Sequence, residues 1–374
     1  MNEDTGSLSG KVIHKAYSFI GPHSHIQRAI GASPQTAIPK SVFRAAQTSP
    51  FSLSYYSDRK KYTGRALKIG IASHVVLDTI KGAATAGSSS RTAASAGGPP
   101  CYCGMTSRRF GFDVELATRV GRDFPAELRN FLLENKIRIK EEQQTDRPTT
   151  RFSLQAEGES RWLVLQSKCA PIAAGEIAGM KVDCWLASPV IDEVPADVLA
   201  AIKQNKGKKN FVMLDPQGYM RVIGNGGQIT FRDRLELDLA GINAVKVDKQ
   251  EMAALTGGLQ GLEGMQSLQL SGVEFVVSTE HSVVNLLHEK THYWIRMRDV
   301  DTPDFTGAGD ILTAAFCCAY MKEKDPLWAL CFSAGAVSAA LETGEMGLGK
   351  IPAMSKIEQT ASYFYNTVGF QRLS

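Results

Sequence analysis

Short apolar runs alternate with helical segments from about residue 67 to the end of this chain. The apolar runs that we predict to be strands lie at 68–78, 114–120, 184–188, 210–214 and 275–278. The segments that we predict to be helices lie at 103–110, 196–204, 251–255, 311–321 and 328–341. Such alternation predicts an α/β fold in which a mainly parallel sheet carries helices on both faces. Ligands of these sheets bind beyond the carboxyl ends of the strands, so we expect the functional site there.

Two β-rich runs interrupt this alternation. Residues 149–155 and 162–166 flank a Glu-Gly-Glu turn, a pattern that predicts a hairpin. We expect the hairpin, over 149–166, to form a small β-flap outside the main sheet. Residues 81–96 are rich in Gly, Ala, Ser and Thr and are predicted to be a second lid element. Exposed strand edges often pair with a second copy, so a homodimer through the flap is a further expectation.

Residues 1–65 differ in composition from the rest of the chain. Gly, Pro, Ser and Gln punctuate them and no helical or strand period persists, which predicts a disordered or weakly structured extension before a domain at 66–374. The extension holds nine Lys and Arg against three Asp and Glu, so the remainder is slightly acidic within a net charge of +4. An acidic body argues against nucleic acid as a partner. The lack of an apolar run of about 18 residues argues against a membrane span.

Cysteine usage indicates a reducing compartment. The seven cysteines, most of them within apolar runs, are Cys101, Cys103, Cys169, Cys184, Cys317, Cys318 and Cys331. An odd number in a chain of 374 residues is typical of reduced thiols packed in a cytoplasmic protein. The pair at 101 and 103 has no second Cys or His pair at zinc spacing, so we predict no metal site there.

The strongest functional signal is the segment 304–310, Asp-Phe-Thr-Gly-Ala-Gly-Asp, which runs directly into an apolar helix. Gly307 and Gly309 allow unusual backbone angles and a close approach to a ligand. The N–H groups of a helix's first turn bind anions, so a phosphate group can lie against this turn. Asp310 stands at its mouth, where a carboxylate can accept the proton of a substrate hydroxyl. Asp also caps helices often, and Gly-x-Gly-Asp alone does not separate the two roles.

The whole segment resembles the C-terminal signature of the PfkB carbohydrate kinase (ribokinase-like) family, Asp-Thr-x-Gly-Ala-Gly-Asp, with Phe305 at the second place. The likeness covers roughly residues 66–374. It implies a ribokinase-like three-layer sandwich with a small lid and an ATP-dependent kinase that uses Asp310 as the catalytic base. The residues whose backbone would form the anion hole are Gly307, Ala308 and Gly309.

Other matches to the family imply the acceptor and metal sites. Asp78 matches the aspartate that binds substrate hydroxyls, and Gly97 and Gly98 match the Gly-Gly substrate motif, although the Asn that usually follows is missing. Asp248 and Glu251 match the family's Asn-x-x-Glu element, which positions Mg²⁺ largely through water. Asp in place of Asn keeps an oxygen ligand and adds charge, which suits a hard cation. Taken alone, these residues equally fit a solvated helix start.

The nucleotide strand departs from the family pattern, because its usual glycine-containing turn is replaced by Val-Ser-Thr-Glu-His-Ser at 277–282. Ser278 and Thr279 still offer hydroxyl groups to a phosphate or a ribose. Thr306, Gly307 and Gly309 complete the nucleotide contacts that the resemblance implies. ATP and Mg²⁺ are therefore the expected cofactors.

The acceptor is expected to be a small polyol or sugar. Gly-Gly-Pro at 97–99 and Leu-Asp-Pro-Gln-Gly-Tyr-Met-Arg at 214–221 are most similar to archaeal and plant myo-inositol kinases, and a nucleoside is the alternative acceptor. Two other classes compete with a kinase. A ligand-binding protein that lost catalysis is disfavoured by the intact Asp310, and a nicotinamide-dependent oxidoreductase by the missing dinucleotide fingerprint.

The segment 344–350, Gly-Glu-Met-Gly-Leu-Gly-Lys, fits the first seven positions of a P-loop. Ile351 then stands where a Ser or Thr would bind Mg²⁺, and Pro352 prevents a helix from continuing. We therefore expect a loop near the adenine edge and not a phosphate-binding P-loop.

Overall fold

The computed structural model of the chain describes residues 65–80, 94–157, 160–205, 211–302 and 304–374. Within these ranges the strands are β1 (Lys68–Ala72), β2 (Val76–Ile80), β3 (Ala94–Gly97), β4 (Asp113–Ala117), β5 (Val120–Gly121), β6 (Gln144–Thr145), β7 (Thr150–Glu157), β8 (Ser160–Ser167), β9 (Cys184–Ala187), β10 (Phe211–Leu214), β11 (Arg221–Ile223), β12 (Ile229–Phe231), β13 (Ala244–Asp248), β14 (Phe275–Glu280), β15 (Val283–His288), β16 (Thr291–Arg296) and β17 (Gly369–Arg372).

The α-helices of the same ranges are α1 (Pro99–Arg109), α2 (Ala126–Glu134), α3 (Ala174–Ala178), α4 (Ala196–Asn205), α5 (Gln217–Met220), α6 (Lys249–Thr256), α7 (Gly261–Leu270), α8 (Ala308–Glu323), α9 (Pro326–Leu341) and α10 (Met354–Tyr365).

The largest sheet in the described part of the chain has nine strands in the order β17-β16-β15-β14-β13-β10-β9-β1-β4. The six strands from β14 to β4 pair in parallel, and β15, β16 and β17 extend the sheet as antiparallel strands. The parallel strands are buried on both faces, which is why they appear in the sequence as short apolar runs without alternation. Their carboxyl ends meet at one edge of the sheet.

Helices cover both faces of this sheet. On one face α3, α4, α6 and α7 pack on inward-facing residues of the strands, including Trp185, Val212, Val245 and Val276. On the opposite face lie α1, α8 and α9, and Phe316 of α8 packs edge-on against Phe275 at 6.1 Å between ring centroids. The result is the three-layer α/β sandwich that the alternation predicts.

A second sheet of four strands, in the order β3-β2-β7-β8, forms the lid. β7 and β8 are the antiparallel hairpin predicted over 149–166. The edge strand β8 makes an isolated antiparallel bridge between Val164 and Gln228 and contacts β12, so the β11–β12 hairpin covers part of that edge. The homodimer through the flap stays a prediction.

The sequence interpretation of 68–78 as one strand is wrong. β1 ends at Ala72, and the chain then leaves the large sheet and enters the lid as β2, which carries Asp78. The three residues Ser73, His74 and Val75 thus connect β1 of the large sheet to β2 of the lid.

This junction is held by one buried carboxylate. Glu193 accepts hydrogen bonds from Ser73 Oγ (3.1 Å) and from the backbone N–H of His74 (3.0 Å). It also accepts from the N–H groups of Val190 (2.7 Å) and Ile191 (2.9 Å). The His74 ring joins the two sides further, because Nδ1 lies 2.8 Å from Thr150 Oγ1 of β7 and Nε2 lies 2.8 Å from the Ala170 carbonyl oxygen. We call this arrangement the Glu193 junction.

The remaining predicted elements are present with shifted ends. The helix predicted to begin at 251 begins at Lys249, and the last two long helices extend over α8 and α9. The sequence interpretation missed β13 and the hairpins of β15, β16 and β17. Of the predicted lid element at 81–96, only residues from 94 are described; residues 81–93, like 1–64 of the predicted extension, lie outside the described residues.

Two further expectations concern the cysteines and the membrane. All seven cysteines are buried and none is in a disulfide. Among the described residues, no helix combines the length and the apolar character needed to cross a bilayer.

Candidate active site

The Gly307 turn at the start of α8 is possible only with glycine. Gly307 has φ +78° and precedes the first residue of the helix. A Cβ at this position would also collide with the ring of Tyr102 on α1. The turn therefore lies tightly against α1, and the N–H groups of the first turn of α8 lack helical acceptors by geometry. A 16-residue helix adds the positive end of its dipole at this point, so the turn favours an anion.

Asp310 is the third residue of α8 and is 7% exposed. It is not the N-cap, which is Gly307, so the capping role does not explain its presence. Burial raises the pKa of Asp310 to about 7, and the nearby charges of Asp215 and Asp78 add to the rise, while Lys246 and Arg221 oppose it. A buried carboxyl group with a pKa near neutrality is suited to accept and return a proton.

Lys246 of β13 is a buried ammonium beside this turn. Its Nζ lies 3.3 Å from Asp215 Oδ2 and 3.6 Å from Glu251 Oε2. A Cβ on Gly309 would lie 3.4 Å from the same Nζ, so the ammonium lies against the backbone of the predicted anion hole. Burial alone would lower the pKa of Lys246, but the surrounding carboxylates together raise it, and the side chain stays protonated.

The strand register explains why these side chains meet. Leu214 pairs with Val245 and both face α6 and α7, so the next residues, Asp215 and Lys246, face α8. Lys246 pairs with Val277, which places Thr279, two residues further along β14, on the same face. Asp215, Lys246 and Thr279 thus stand at the carboxyl ends of three neighbouring strands.

Ser278 does not join them. Alternation along β14 turns its side chain to the other face, where its hydroxyl lies 3.6 Å from Met265 Sδ of α7. Ser278 thus faces α7, and Thr279 faces the side that carries Asp215 and Lys246. The nucleotide role of both residues stays a prediction. Ser278 and Thr279 both border a cavity of about 150 Å³ beneath α6 and α7.

Asp78 and the two glycines form the opposite wall. A Cβ on Gly97 would collide with Asp78 Oδ2, so the carboxyl group lies directly against the glycine backbone. Gly98 has φ +78°, and a Cβ there would come within 2.8 Å of the His74 carbonyl oxygen. Burial raises the pKa of Asp78 to about 7, Arg221 opposes the rise and Asp304 adds to it. Burial raises the pKa of Cys101 in the first turn of α1, and the charges of Asp78 and Asp310 add to the rise, so both carboxyl groups lie near this thiol.

Arg221 supplies the second cation of the site. Its Nη1 donates to the Val190 carbonyl oxygen (2.6 Å), and its guanidinium lies 5.5 Å from the centroid of the Phe152 ring on the lid strand β7. Nε is buried and has no hydrogen-bond partner in the described part of the chain. Burial raises the pKa of both Asp78 and Asp310, and the charge of Arg221 opposes both rises, so the guanidinium lies near both carboxyl groups.

Asp248 and Glu251 form a capping box at the start of α6. Asp248 Oδ1 accepts from the N–H groups of Gln250 and Glu251 at 2.8 Å, and Glu251 Oε2 accepts from the Asp248 N–H at 2.7 Å. Burial raises the pKa of Glu251 to about 8, against the attraction of Lys246. Among the described residues no three metal-ligating side chains converge. The predicted Mg²⁺ role of Asp248 and Glu251 stays a prediction.

The predicted P-loop-like segment has another role. Residues Gly347–Lys350 form a 3₁₀ helix, and Lys350 points inward to Asp304, the first residue of the signature segment. The backbone N–H of Thr306, a predicted nucleotide contact, donates to Asp304 Oδ1 at 2.8 Å. The Thr306 carbonyl oxygen accepts a hydrogen bond from Lys350 Nζ at 2.9 Å. The backbone of Thr306 is thus held from both sides, directly before the Gly307 turn.

Sequence reasoning brought together Asp310, the Gly307 turn, Asp78 and the glycine pair, but it missed three charged residues: Asp215, Arg221 and Lys246. A signal for Lys246 exists in the sequence, since a lone lysine interrupts the apolar run Ala-Val-Lys-Val directly before Asp248. A charged residue inside a buried strand needs partners, and those partners are the carboxylates of the site.

The layered sheet, the β-lid and the buried carboxyl groups at the strand ends define a ribokinase-like α/β protein. The chain is similar in fold to a structure described as a pyrophosphate-dependent myo-inositol-1 kinase converted into a myo-inositol-3 kinase, with 22% identity, a TM-score of 0.65 and coverage of 79% of this chain and 99% of that one. It is also similar to ribokinase from Thermotoga maritima (17% identity, TM-score 0.60, coverage 79% and 99%). A third similar structure is Arabidopsis thaliana ribokinase complexed with ribose and ATP (18%, TM-score 0.58, coverage 79% and 99%).

Residues 67–354 match the family model described as pfkB family carbohydrate kinase. The chain belongs to this family. No curated protein matches the sequence significantly. The structural likenesses, all at low identity, establish the fold, and the acceptor and the phosphate donor are matters for the site itself.

Proposed function

We propose that the protein is an ATP-dependent phosphotransferase that phosphorylates a hydroxyl group of a small polyol or sugar. The observation that carries the proposal is the buried Asp310 carboxyl group, which lies in the first turn of the helix that follows Gly307 and is near enough to Asp78 for that charge to add to its raised pKa. Phosphoryl transfer to an alcohol requires a base, an acceptor site and an anion site close together.

In this mechanism Asp310 takes the proton from the acceptor hydroxyl as the oxygen attacks the terminal phosphorus of the donor. The bond between that phosphorus and the donor's bridging oxygen breaks, and the leaving diphosphate carries the negative charge away. The first-turn amides of α8 and the Lys246 ammonium face the charge that builds on the transferring group. They are fixed before the reaction, so they need no reorganisation as the charge appears.

The acceptor is held by the opposite wall. A carboxylate accepts hydrogen bonds from hydroxyl groups, and Asp78 offers its oxygens where the backbone of Gly97 leaves room. The unpaired Nε of Arg221 provides a donor for an acceptor oxygen. This set of donors and acceptors supports a ring with several neighbouring hydroxyl groups, such as myo-inositol, and a nucleoside is the alternative.

Mg²⁺ would be held through water by the carboxyl groups of Asp248 and Glu251. The ion would neutralise the phosphates of the donor. The remaining interactions of the donor belong to protein groups. Thr279 faces the donor side from the end of β14, and the β14–β15 turn at 281 and 282 contains no glycine.

A second candidate donor, pyrophosphate, is favoured by one observation. His281 occupies the turn with φ +51°, where a glycine would let a nucleotide approach the backbone closely. The Lys246 ammonium can bind a phosphate group whether or not that phosphate is attached to a nucleoside. Three of the similar solved structures are described as pyrophosphate-dependent kinases, so both donors belong in the same assay.

The decisive experiment measures turnover of the full chain with a panel of polyols, sugars and nucleosides, with ATP or pyrophosphate and Mg²⁺, in parallel with Asp310→Asn. We expect the variant to lose about 10³-fold in kcat, since a general base contributes on this scale, while calorimetric binding of the donor is retained. Asp113→Asn, an exposed aspartate at the amino end of β4, is the matched control. Near-normal turnover of Asp310→Asn would overturn the proposal, and binding without any turnover by the wild type would favour a non-catalytic homologue.

A further inference from the structure

Lys350 is a lysine whose ammonium is enclosed by oxygen atoms. Its side chain is 1% exposed, and Nζ donates to the Asp304 carbonyl oxygen (2.7 Å) and the Thr306 carbonyl oxygen (2.9 Å). The same Nζ lies 2.8 Å from Asp304 Oδ2. Three oxygen contacts use the three protons of an ammonium group, so the group is fully engaged.

Asp304 is held just as firmly from its own side. Oδ1 accepts from the Thr306 N–H (2.8 Å), and Oδ2 accepts from the Gly347 N–H (2.7 Å). Burial alone would raise the pKa of Asp304, but these hydrogen bonds and that of Lys350 hold it below the usual value, so the carboxylate is charged. Two segments far apart in the sequence, 304–306 and 347–350, are thereby tied together at one buried ion pair.

The ion pair holds the residues that directly precede the Gly307 turn. Asp304 and Thr306 immediately precede Gly307, whose φ of +78° sets the direction of the first-turn amides of α8. The Asp304 charge also reaches Asp78 and Tyr102, whose pKa values it raises, so the pair belongs to the same region as the acceptor site. Any shift of the Thr306 carbonyl would be passed to the amides that face the transferring phosphoryl group.

We propose that Lys350 is a positioning residue that acts as a tethered monovalent cation, holding the 304–306 backbone so that the Gly307 turn is aimed at the donor. Two carbonyl oxygens and one carboxylate oxygen around a buried unit charge are the ligands that a K⁺ or NH₄⁺ ion would take, and here the ion is part of the chain. The catalytic part of this inference rests on the proposed phosphotransferase activity. The cation-binding part does not.

The first test uses the wild-type chain and compares KCl, NH₄Cl, NaCl and choline chloride at one ionic strength of about 0.1 M, at which exposed charge pairs are screened alike. We expect the melting temperature and kcat to be the same in all four salts, because the cation position is filled by Lys350. A severalfold rise of kcat in K⁺ or NH₄⁺ would overturn the inference, since it would show that an added cation completes the turn.

The second test removes the ammonium with Lys350→Met. We expect kcat to fall by about 10²-fold, the loss that a misplacement on the ångström scale produces, with a smaller change in KM for the acceptor. Addition of KCl or NH₄Cl, but not choline chloride, is expected to raise both the melting temperature and kcat of this variant. Lys356→Met, which removes an exposed lysine paired with Glu342, is the control and should respond to no cation.

The outcomes separate the two proposals. Rescue of the melting temperature by K⁺ or NH₄⁺ without measurable turnover in any variant would support the tethered cation and remove the phosphotransferase. A folded Lys350→Met with unchanged kcat would reject the positioning role. If Lys350→Met does not fold, Asp304→Asn replaces it: a kcat loss with retained donor binding supports the inference, and an unaffected kcat rejects it.

Discussion

At the scale of single residues, the pocket holds carboxyl groups that are close together and shielded from water. Asp78 and Asp310 each have a pKa raised by burial to about 7, and each feels the charge of the other or of a neighbouring aspartate. Lys246 and Arg221 moderate the repulsion, so that one carboxylate can be charged near neutral pH while it waits for an acceptor hydroxyl.

The raised pKa of Asp310 predicts the pH dependence of the reaction. A base must be deprotonated, so kcat/KM should rise as the pH increases through about 7, the raised pKa of Asp310. Asp78→Asn removes a negative charge that raises this pKa, so we expect the acid limb of its kcat profile to move to lower pH. The measurement is a pair of pH–rate profiles from about pH 5 to 9, with the coupling enzymes in excess. A wild-type profile that shows no acid limb within this range, as an aspartate with the ordinary pKa of 3.8 would give, would contradict the assignment.

The same shift has a consequence for stability. Because the pKa of Asp310 in the folded chain lies above the ordinary aspartate value of 3.8, ionisation of Asp310 costs stability as the pH rises from about 4 to about 7. We therefore expect Asp310→Asn to melt no lower than the wild type at pH 8, measured by differential scanning calorimetry. A large loss of stability would instead indicate that the inactive variant is misfolded.

The sequence predicts one part of the site and not the other, for a physical reason. Asp310 and the Gly307 turn are local, since a glycine-rich corner and a helix start are written in consecutive residues. Lys246 and Arg221 act only after distant segments have met. Lys246 lies on β13, which the fold places next to β10 in the large sheet, although a long stretch of sequence separates it from the Gly307 turn. Arg221 follows β10 and approaches the lid only in the folded chain, where its guanidinium lies over the Phe152 ring.

At the scale of elements, the lid and the large sheet depend on the Glu193 junction. Glu193 is fully buried and accepts four hydrogen bonds from both sides of it. Glu193→Gln replaces one acceptor oxygen by an NH₂ group that faces an N–H donor, which should cost about 1–3 kcal/mol of the free energy of unfolding. We expect a lower melting temperature and a raised KM for the acceptor, because β2 carries Asp78. Exposed Glu134→Gln is the control, and an unchanged KM would show that the junction does not position Asp78.

The same junction explains the main error of the sequence interpretation. An apolar run that ends on an aspartate is typical of a strand that delivers the residue at its carboxyl end. Here Ser73 and His74 bind Glu193 instead of continuing the ladder, and the run is divided between two sheets. The antiparallel strands β15 to β17 were missed because their outer faces are partly exposed and carry polar residues among the apolar ones.

At the scale of the whole molecule, the first core strand of the described chain is held by residues that follow it. β1 pairs with β4 and β9, and the Lys68 N–H donates to Asp183 at 2.8 Å. We therefore expect a chain that begins at Arg65 to fold and to keep the kcat of the full chain. Its melting temperature should lie within a few °C of that of the full chain, which corresponds to about 1 kcal/mol in the free energy of unfolding. Calorimetry and the coupled assay on both chains check this. Loss of turnover in the shorter chain would show that residues 1–64 contribute to the site.

The buried joint between the two sheets also bears on how tightly a small acceptor can be held. With β2 fastened through Ser73 and His74, the Asp78 carboxyl group has given up its conformational freedom during folding. When a polyol binds, the main loss of entropy is then its own, because the protein lost the corresponding freedom during folding. A ligand with few heavy atoms, which has little contact energy to offer, can in this way still reach a useful affinity.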